Sequence, residues 1–285
     1  MLIAVAVVSF VIQALCNKEM SRRFPPAMAG TYLYSALGLS LIPLALAPFG
    51  AWALHDGRTL LLAVLFGVDF AATMALMVLC MREGPLSLTS LFMGLSVLLP
   101  VAAGTLFFGE AMTAMKVTGL LCVLAVVVLS SVGGGGHKVK GRWLGLALLM
   151  MFCNGMLSVL QKTQGAWLGQ SDNWSFQFYG FLTASLGLWA LLLVQKMRHR
   201  VDLAPWRSPW LPGISGALGI STLAGNAAVM LALRVTPAVV AFPIITGALV
   251  LVTWGISVAV YREPLRPKGL ALLLIGLAGI VLLSV

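Results

Sequence analysis

The sequence predicts an all-α integral membrane protein of about ten transmembrane helices in two inverted five-helix repeats. Three observations carry this. The chain is 60% hydrophobic and only 9% charged, whereas soluble domains carry about 25% charged residues. Its apolar residues fall into runs of spanning length. Residues of the first half recur in order in the second.

Too much apolar surface is present for a water-soluble fold to hide, so lipid must be the solvent for most of the chain. The net charge of +10 does not signal nucleic acid. The Lys and Arg sit in short gaps between apolar runs, and no basic stripe is interleaved with aromatics. Cys16, Cys80, Cys122 and Cys153 show no CxxC spacing and read as small buried hydrophobes. No cleavable signal peptide is expected.

The apolar runs lie at 2–17, 27–49, 59–81, 86–108, 115–132, 143–161, 174–195, 211–233, 238–260 and 269–285. Helices are required, because a segment in lipid must satisfy its own backbone hydrogen bonds. Trp52, Trp143, Trp174 and Trp210 at span ends read as interfacial anchors, as do Tyr32 and Tyr34 at the start of the second span. Pro43, Pro100 and Pro243 predict bends.

The halves match at near-constant spacing: Gly67 with Gly219, Arg82 with Arg234, Pro85 with Pro237, then Glu110 with Glu263 and Ser131 with Ser284. Lys18 and Lys162 close the first and sixth spans. The division expected is a first repeat at 1–132, a glycine-rich linker at 133–142, and a second repeat at 143–285. An odd number of spans per repeat inverts the second copy. Inverted repeats are a plan of secondary transporters, whose site lies near the midplane between the repeats. Of the 18 Lys and Arg, all but Arg58, Lys116, Lys162 and Arg234 follow odd-numbered spans. That side is expected in the cytoplasm, with both termini outside.

The lysines closing the first span of each repeat (Lys18, Lys162), the prolines after the third (Pro85, Pro237), and Phe108-Gly109-Glu110 and Tyr261-Arg262-Glu263 before the fifth carry a family likeness. In these the chain resembles EamA-type members of the drug/metabolite transporter superfamily. The resemblance implies a ten-helix carrier with a central cavity lined by spans one, three, four, six, eight and nine. Members of such a family move amino acids, nucleosides, sugars, choline-like cations or drugs. The chain departs from the family in Phe10-Val11-Ile12-Gln13, which stands where a small polar cluster follows an aromatic. It departs again in the gap between spans two and three, where Arg58 is the one basic residue.

Candidate substrate-binding residues are Asp69, Gln13, Asn154, Ser221, Asn226 and Trp254. Asp69 is the acid deep within an apolar run, where a charge costs roughly 2.5–3.5 kcal/mol and is retained for a cavity, a proton or a partner. Its repeat-mate is Ser221, so the symmetry is broken there. Gln13, Asn154 and Asn226 add mid-depth amides that also serve as interhelical glue, and Ser221 with Gly225 equally suits close packing. Trp254 and Trp189 could stack on a flat or cationic ligand or simply pack. Glu110 and Glu263 are read as caps of the helices they open.

The function expected is a secondary transporter of a small polar metabolite or organic cation, working by alternating access, with any coupling proton bound at Asp69. A flippase for lipid-linked or glycolipid substrates is the second reading. An intramembrane protease is the third, on Gly213-Ile214-Ser215-Gly216, which lacks a base because His55, His137 and His199 lie in loops. No cofactor or metal is expected. The expected partners are a small-molecule substrate and membrane lipid, with no nucleic acid. A multi-pass chain of the cell (inner) membrane, monomeric or homodimeric, completes the expectation.

Overall fold

The computed structural model describes residues 1–24, 28–54, 56–83, 86–131, 141–168, 172–199, 206, 208–261 and 267–284. Those residues form helices α1 (Leu2–Arg23), α2 (Met28–Leu46), α3 (Gly57–Glu83), α4 (Leu86–Leu95), α5 (Leu98–Phe107) and α6 (Ala114–Ser131). The second half holds α7 (Gly141–Trp167), α8 (Asn173–His199), α9 (Trp210–Ala232), α10 (Ala238–Tyr261) and α11 (Pro267–Ser284). A 3-10 turn at Ala47–Phe49 follows α2, and Gly50 closes it at φ 72°, a conformation that favours glycine. The glycine-rich linker expected at 133–142 falls almost wholly outside the described residues.

Helices α1, α2, α3, α7, α8 and α9 are long and apolar enough to cross a bilayer, and four shorter apolar stretches accompany them. Large apolar side chains such as Leu44, Leu61, Phe152, Leu186 and Ile220 point outward. That outer surface suits hydrocarbon and would be untenable in water.

The fourth span is two helices rather than one. Pro100 has no N–H to offer the carbonyl four residues back, at Ser96. The chain there tightens into i→i+3 bonds, Ser96 N to Met93 O at 3.3 Å, Val97 N to Gly94 O at 3.4 Å and Leu99 N to Ser96 O at 3.1 Å. Asn154 of α7 donates to Ser96 Oγ at 2.6 Å, and Gly155 lies against the same segment. The ninth span, α10, carries Pro243 yet stays continuous.

Contacts between span ends sort the connections onto two faces. On one face Arg23 lies over the Trp210 ring at 4.3 Å, Phe24 stacks on Trp206 at 4.8 Å, and Arg142 pairs with Glu83 at 3.3 Å. On the other, Ser175 donates to Ala53 O, Tyr179 to Trp52 O, and the Asp56 N–H to Asp172. The chain therefore alternates direction from span to span. The first face, called basic below, follows the odd-numbered spans.

Helix packing repeats when each span is exchanged with the one five places on, counting α4 with α5 as the fourth. Helix α1 packs on α9 as α7 packs on α3; α3 on α8 as α9 on α2; α1 on α10 as α7 on α4 and α5. The pairs α2–α8 and α6–α11 map onto themselves. Matched glycines make the matched crossings. A Cβ on Gly67 would collide with the Gly180 carbonyl of α8, and one on its mate Gly219 with the Gly38 carbonyl of α2.

Three expected anchors are internal. Trp143 is buried and donates to Cys80 O at 3.0 Å. Tyr32 and Tyr34 are buried too, because their side of α2 packs toward α8 and α9 instead of facing the headgroups.

Gly67→Ala and Gly219→Ala should each force a crossing apart and lower stability by about 1–3 kcal/mol. Gly213→Ala, where nothing lies within 4 Å of the new atom, should lose none. Thermal unfolding of the purified protein in detergent checks both.

Candidate functional site

A cavity of about 790 Å³ opens among α1, α2, α3, α8 and α9. Its mouth, at the basic face, carries Met20, Met28, Met81, Arg82 and Gln195. Its floor carries Gln13, Leu39, Phe70, Leu218 and Thr222. Gln13 precedes the end of α1 at Arg23 by ten residues, a rise of roughly 15 Å. The floor thus lies near the middle of a hydrocarbon core of about 30 Å.

The walls are apolar and methionine-rich, with Met74 and Met77 from α3 and Tyr34 and Ser35 from α2. The polar groups are neutral. Gln13 Nε2 donates to Thr222 Oγ1 at 3.1 Å, and Tyr34 OH donates to Asn17 Oδ1 at 3.1 Å. Gln13 and Asn17 stand one turn apart on the same face of α1. Arg82 is exposed at the rim, where it donates to Met28 Sδ at 3.3 Å. Among the described residues no Asp or Glu lines the cavity.

The opposite face is sealed. Gln161 of α7 donates to Asn226 of α9, and fully buried Gln164 donates to Thr59 of α3 at 3.1 Å. Beyond them Lys162 Nζ lies 2.6 Å from Glu110 Oε1, and both side chains are largely buried. The Glu110 carboxylate also accepts the N–H groups of Ala238 and Val239, each at 2.9 Å. It therefore caps α10 rather than α6, the helix it precedes, and sits in the positive field of the α10 N-terminus. Burial pushes its pKa up, but the Lys162 ammonium and the two amides outweigh burial and hold it below the usual carboxylate value. Lys162 also approaches the Phe108 ring, which packs on Trp167.

The expected site residues divide. Gln13 lines the cavity. Asn226 lies in the seal, where it also donates to Thr222 O at 2.8 Å. Asn154 instead holds the broken fourth span. Ser221 turns back on Leu218 O of its own helix. Asp69 is not among the residues that line the cavity: it lies beside the Cys153 thiol across the α3–α7 contact, and its Oδ2 is buried without a partner. It neighbours Phe70 of the floor but points off another side of α3. The Trp254 side chain lies outside the described residues. Trp189 donates to Ser40 Oγ at 3.1 Å between α8 and α2, away from the cavity. Ser215, the serine of the protease reading, is buried in the α9–α2 crossing.

Spans four, six and nine, expected in the lining, contribute none of its described residues, because they gather around Asn154 and Glu110. Spans two and seven take their place. Sequence reading missed Asn17, Tyr34, Gln195 and the methionines. Asn17 and Gln161 were within reach, since they are repeat-mates one residue before Lys18 and Lys162.

No curated protein matches the chain. A solved structure, titled only as the crystal structure of a protein, superposes with a TM-score of 0.75 over 99% of this chain and 94% of that one. Its sequence is 15% identical, so the likeness establishes the fold alone. Residues 141–285 match the profile of the EamA-like transporter family, which covers the second five spans with the sealing lysine and the capped helix α10. With that match over half of its length, the chain belongs to the EamA-like transporter family, within the drug/metabolite transporter superfamily.

Proposed function

We propose that the protein is a secondary transporter working by alternating access between two five-helix units, 1–132 and 143–285, and that this structure is its conformer open to the basic face. One observation carries the reading: equivalent positions of the two repeats are open on one face and closed on the other. Asn17, Met20 and Met74 line the cavity, whereas their repeat-mates Gln161, Gln164 and Asn226 are buried in the seal. Exchanging the roles of the repeats would close the first half-channel and open the second. Family membership supports a membrane transporter; the mechanism is our reading of this asymmetry.

Glu110 and Lys162 act in this scheme as the latch of the closed side. Removing one member of a buried ion pair leaves the other charge stranded, which costs about 3–5 kcal/mol. The latch also joins α7 to the start of α10 through a single carboxylate. A charge reversal would restore the pair, but a lysine at 110 cannot accept the amides of Ala238 and Val239.

The basic face is assigned to the cytoplasm by charge. With the four native cysteines replaced, Arg22→Cys and Arg198→Cys should react with an impermeant thiol reagent only in inside-out vesicles, and Arg58→Cys only in intact cells. The opposite pattern would invert the orientation.

A Met74→Cys probe in the cavity wall should be labelled from the basic face in the otherwise wild-type protein. Adding Glu110→Gln should reduce that labelling and raise labelling from the opposite face at least tenfold. The double exchange of Glu110 and Lys162 should not restore the original pattern. Because the Glu110 pKa is lowered in the closed latch, its stabilisation is complete above the ordinary carboxylate value of about 4.3. It is lost as the pH falls through the lowered value. Labelling from the sealed side, scaled to the rate of a free thiol at the same pH, should therefore stay low at neutral pH and rise only in strong acid. Unchanged labelling in Glu110→Gln would remove the latch from the mechanism.

A further inference from the structure

The cavity's chemistry restricts what it can hold, an inference that rests on the transport reading above. A cation entering it would leave water for a space in which no described lining residue carries a negative charge. Of the described acids, those nearest the mouth in sequence are engaged elsewhere, Glu19 with Arg22 and Arg23 and Glu83 with Arg142, and Asp202 of the α8–α9 connection lies outside the described residues. Asp69 is turned toward Cys153. A buried cation without a counter-charge is strongly disfavoured.

The polar groups present point the other way. Gln13 spends one N–H on Thr222 and keeps a second. The Thr222 oxygen accepts that bond, so its own hydroxyl proton remains available. Asn17, which lines the cavity, accepts from Tyr34 through its carbonyl, so that bond uses neither of its N–H groups. These three side chains lie together at the floor and lower wall, and four hydrogen-bond donors remain there, one N–H of Gln13, two of Asn17 and the Thr222 hydroxyl. Such a cluster receives an oxygen-rich head such as a carboxylate. Arg82 stands at the rim, and a guanidinium beside a low-dielectric opening draws anions in.

The remainder of the wall is apolar and adaptable. Phe70, Met74, Met77 and Met28 surround the space above the floor. Thioether side chains repack around irregular apolar bodies and favour aromatic rings. A volume of about 790 Å³ exceeds what a small polar metabolite fills, and lies within the range of roughly 300–1,000 Å³ seen for larger organic ligands.

We infer that the cavity binds an apolar-bodied organic anion, its acidic head on Gln13, Asn17 and Thr222 and its body among the methionines, and that it excludes organic cations. This replaces the substrate expected from sequence, a small polar metabolite or organic cation, with a larger class of opposite charge to the cation.

The test uses three probes of one shape: 3-(2-naphthyl)propionate, the corresponding alcohol and the corresponding primary amine. Each is added at millimolar concentration to the purified full-length protein, and the melting temperature is read. The propionate should raise it most, the alcohol less, and the ammonium form not at all. Gln13→Leu with Thr222→Val should abolish the propionate shift while leaving the unliganded melting temperature within a few degrees of wild type. If that variant misfolds, Arg82→Gln serves in its place and should weaken propionate binding several-fold at low salt with little effect on the alcohol. Stabilisation by the amine equal to or above that by the propionate would overturn the inference, as would no response to any probe. Neither result touches alternating access, which the Met74→Cys labelling reads without ligand.

Discussion

The two crossings in which a glycine of one helix rests on the backbone of another, Gly67 on α8 and Gly219 on α2, govern the rest of the structure. Lipid offers no hydrophobic drive between helices, so close backbone approach and the dispersion contacts it brings must hold the bundle. At these two points α3 and α9 come as near to their partners as chains can. Helix α2 is thereby held against α9 and α8 against α3, α1 is set against α9 and α7 against α3, and the cavity is left where α1, α2, α3, α8 and α9 diverge toward the basic face. Tyr34 is buried beside that cavity because α2 is drawn inward, although its place near a span end suggests the headgroups.

Much of the architecture was legible in the sequence because it follows from lipid as solvent. Span positions come from unbroken apolarity, which needs no tertiary information. The pairing of Gly67 with Gly219 and of Lys18 with Lys162 exposed the internal repeat, and the packing of helices follows the same exchange. The broken fourth span was half legible. Pro100 announced a disturbance, but the break at Ser96 needed α7 to supply Asn154, and no local pattern foretells which helix will face the freed groups.

The site was less legible, because sequence ranks polar residues by how costly they are in lipid and not by where they point. Asp69 is the costliest and was the natural first choice, yet a rotation of about 100° per residue separates it from its neighbour Phe70 on the cavity floor. Asn154 and Ser221 fell to the same ambiguity, both spending their polar atoms on helix backbone or its immediate neighbours. The residues that shape the cavity are methionines and neutral amides, which composition cannot distinguish from packing. Glu110 was read correctly as a cap but assigned to its own helix, since the field of a distant N-terminus is invisible in one dimension.

The interruption at Ser96 and Val97 has no counterpart in α10. A carrier assembled from two identical halves would have two conformers of equal free energy and would spend equal time facing each compartment. Here the first half of the fourth span packs on α6 and α7 and its second half on α7 and α10, while the ninth span is one continuous helix. Under the alternating access proposed above, the two ways of closing the molecule would therefore bend different numbers of joints. In the proposed cycle, unequal joints would give the empty protein a preferred resting state, and with it a direction in which it waits for its substrate.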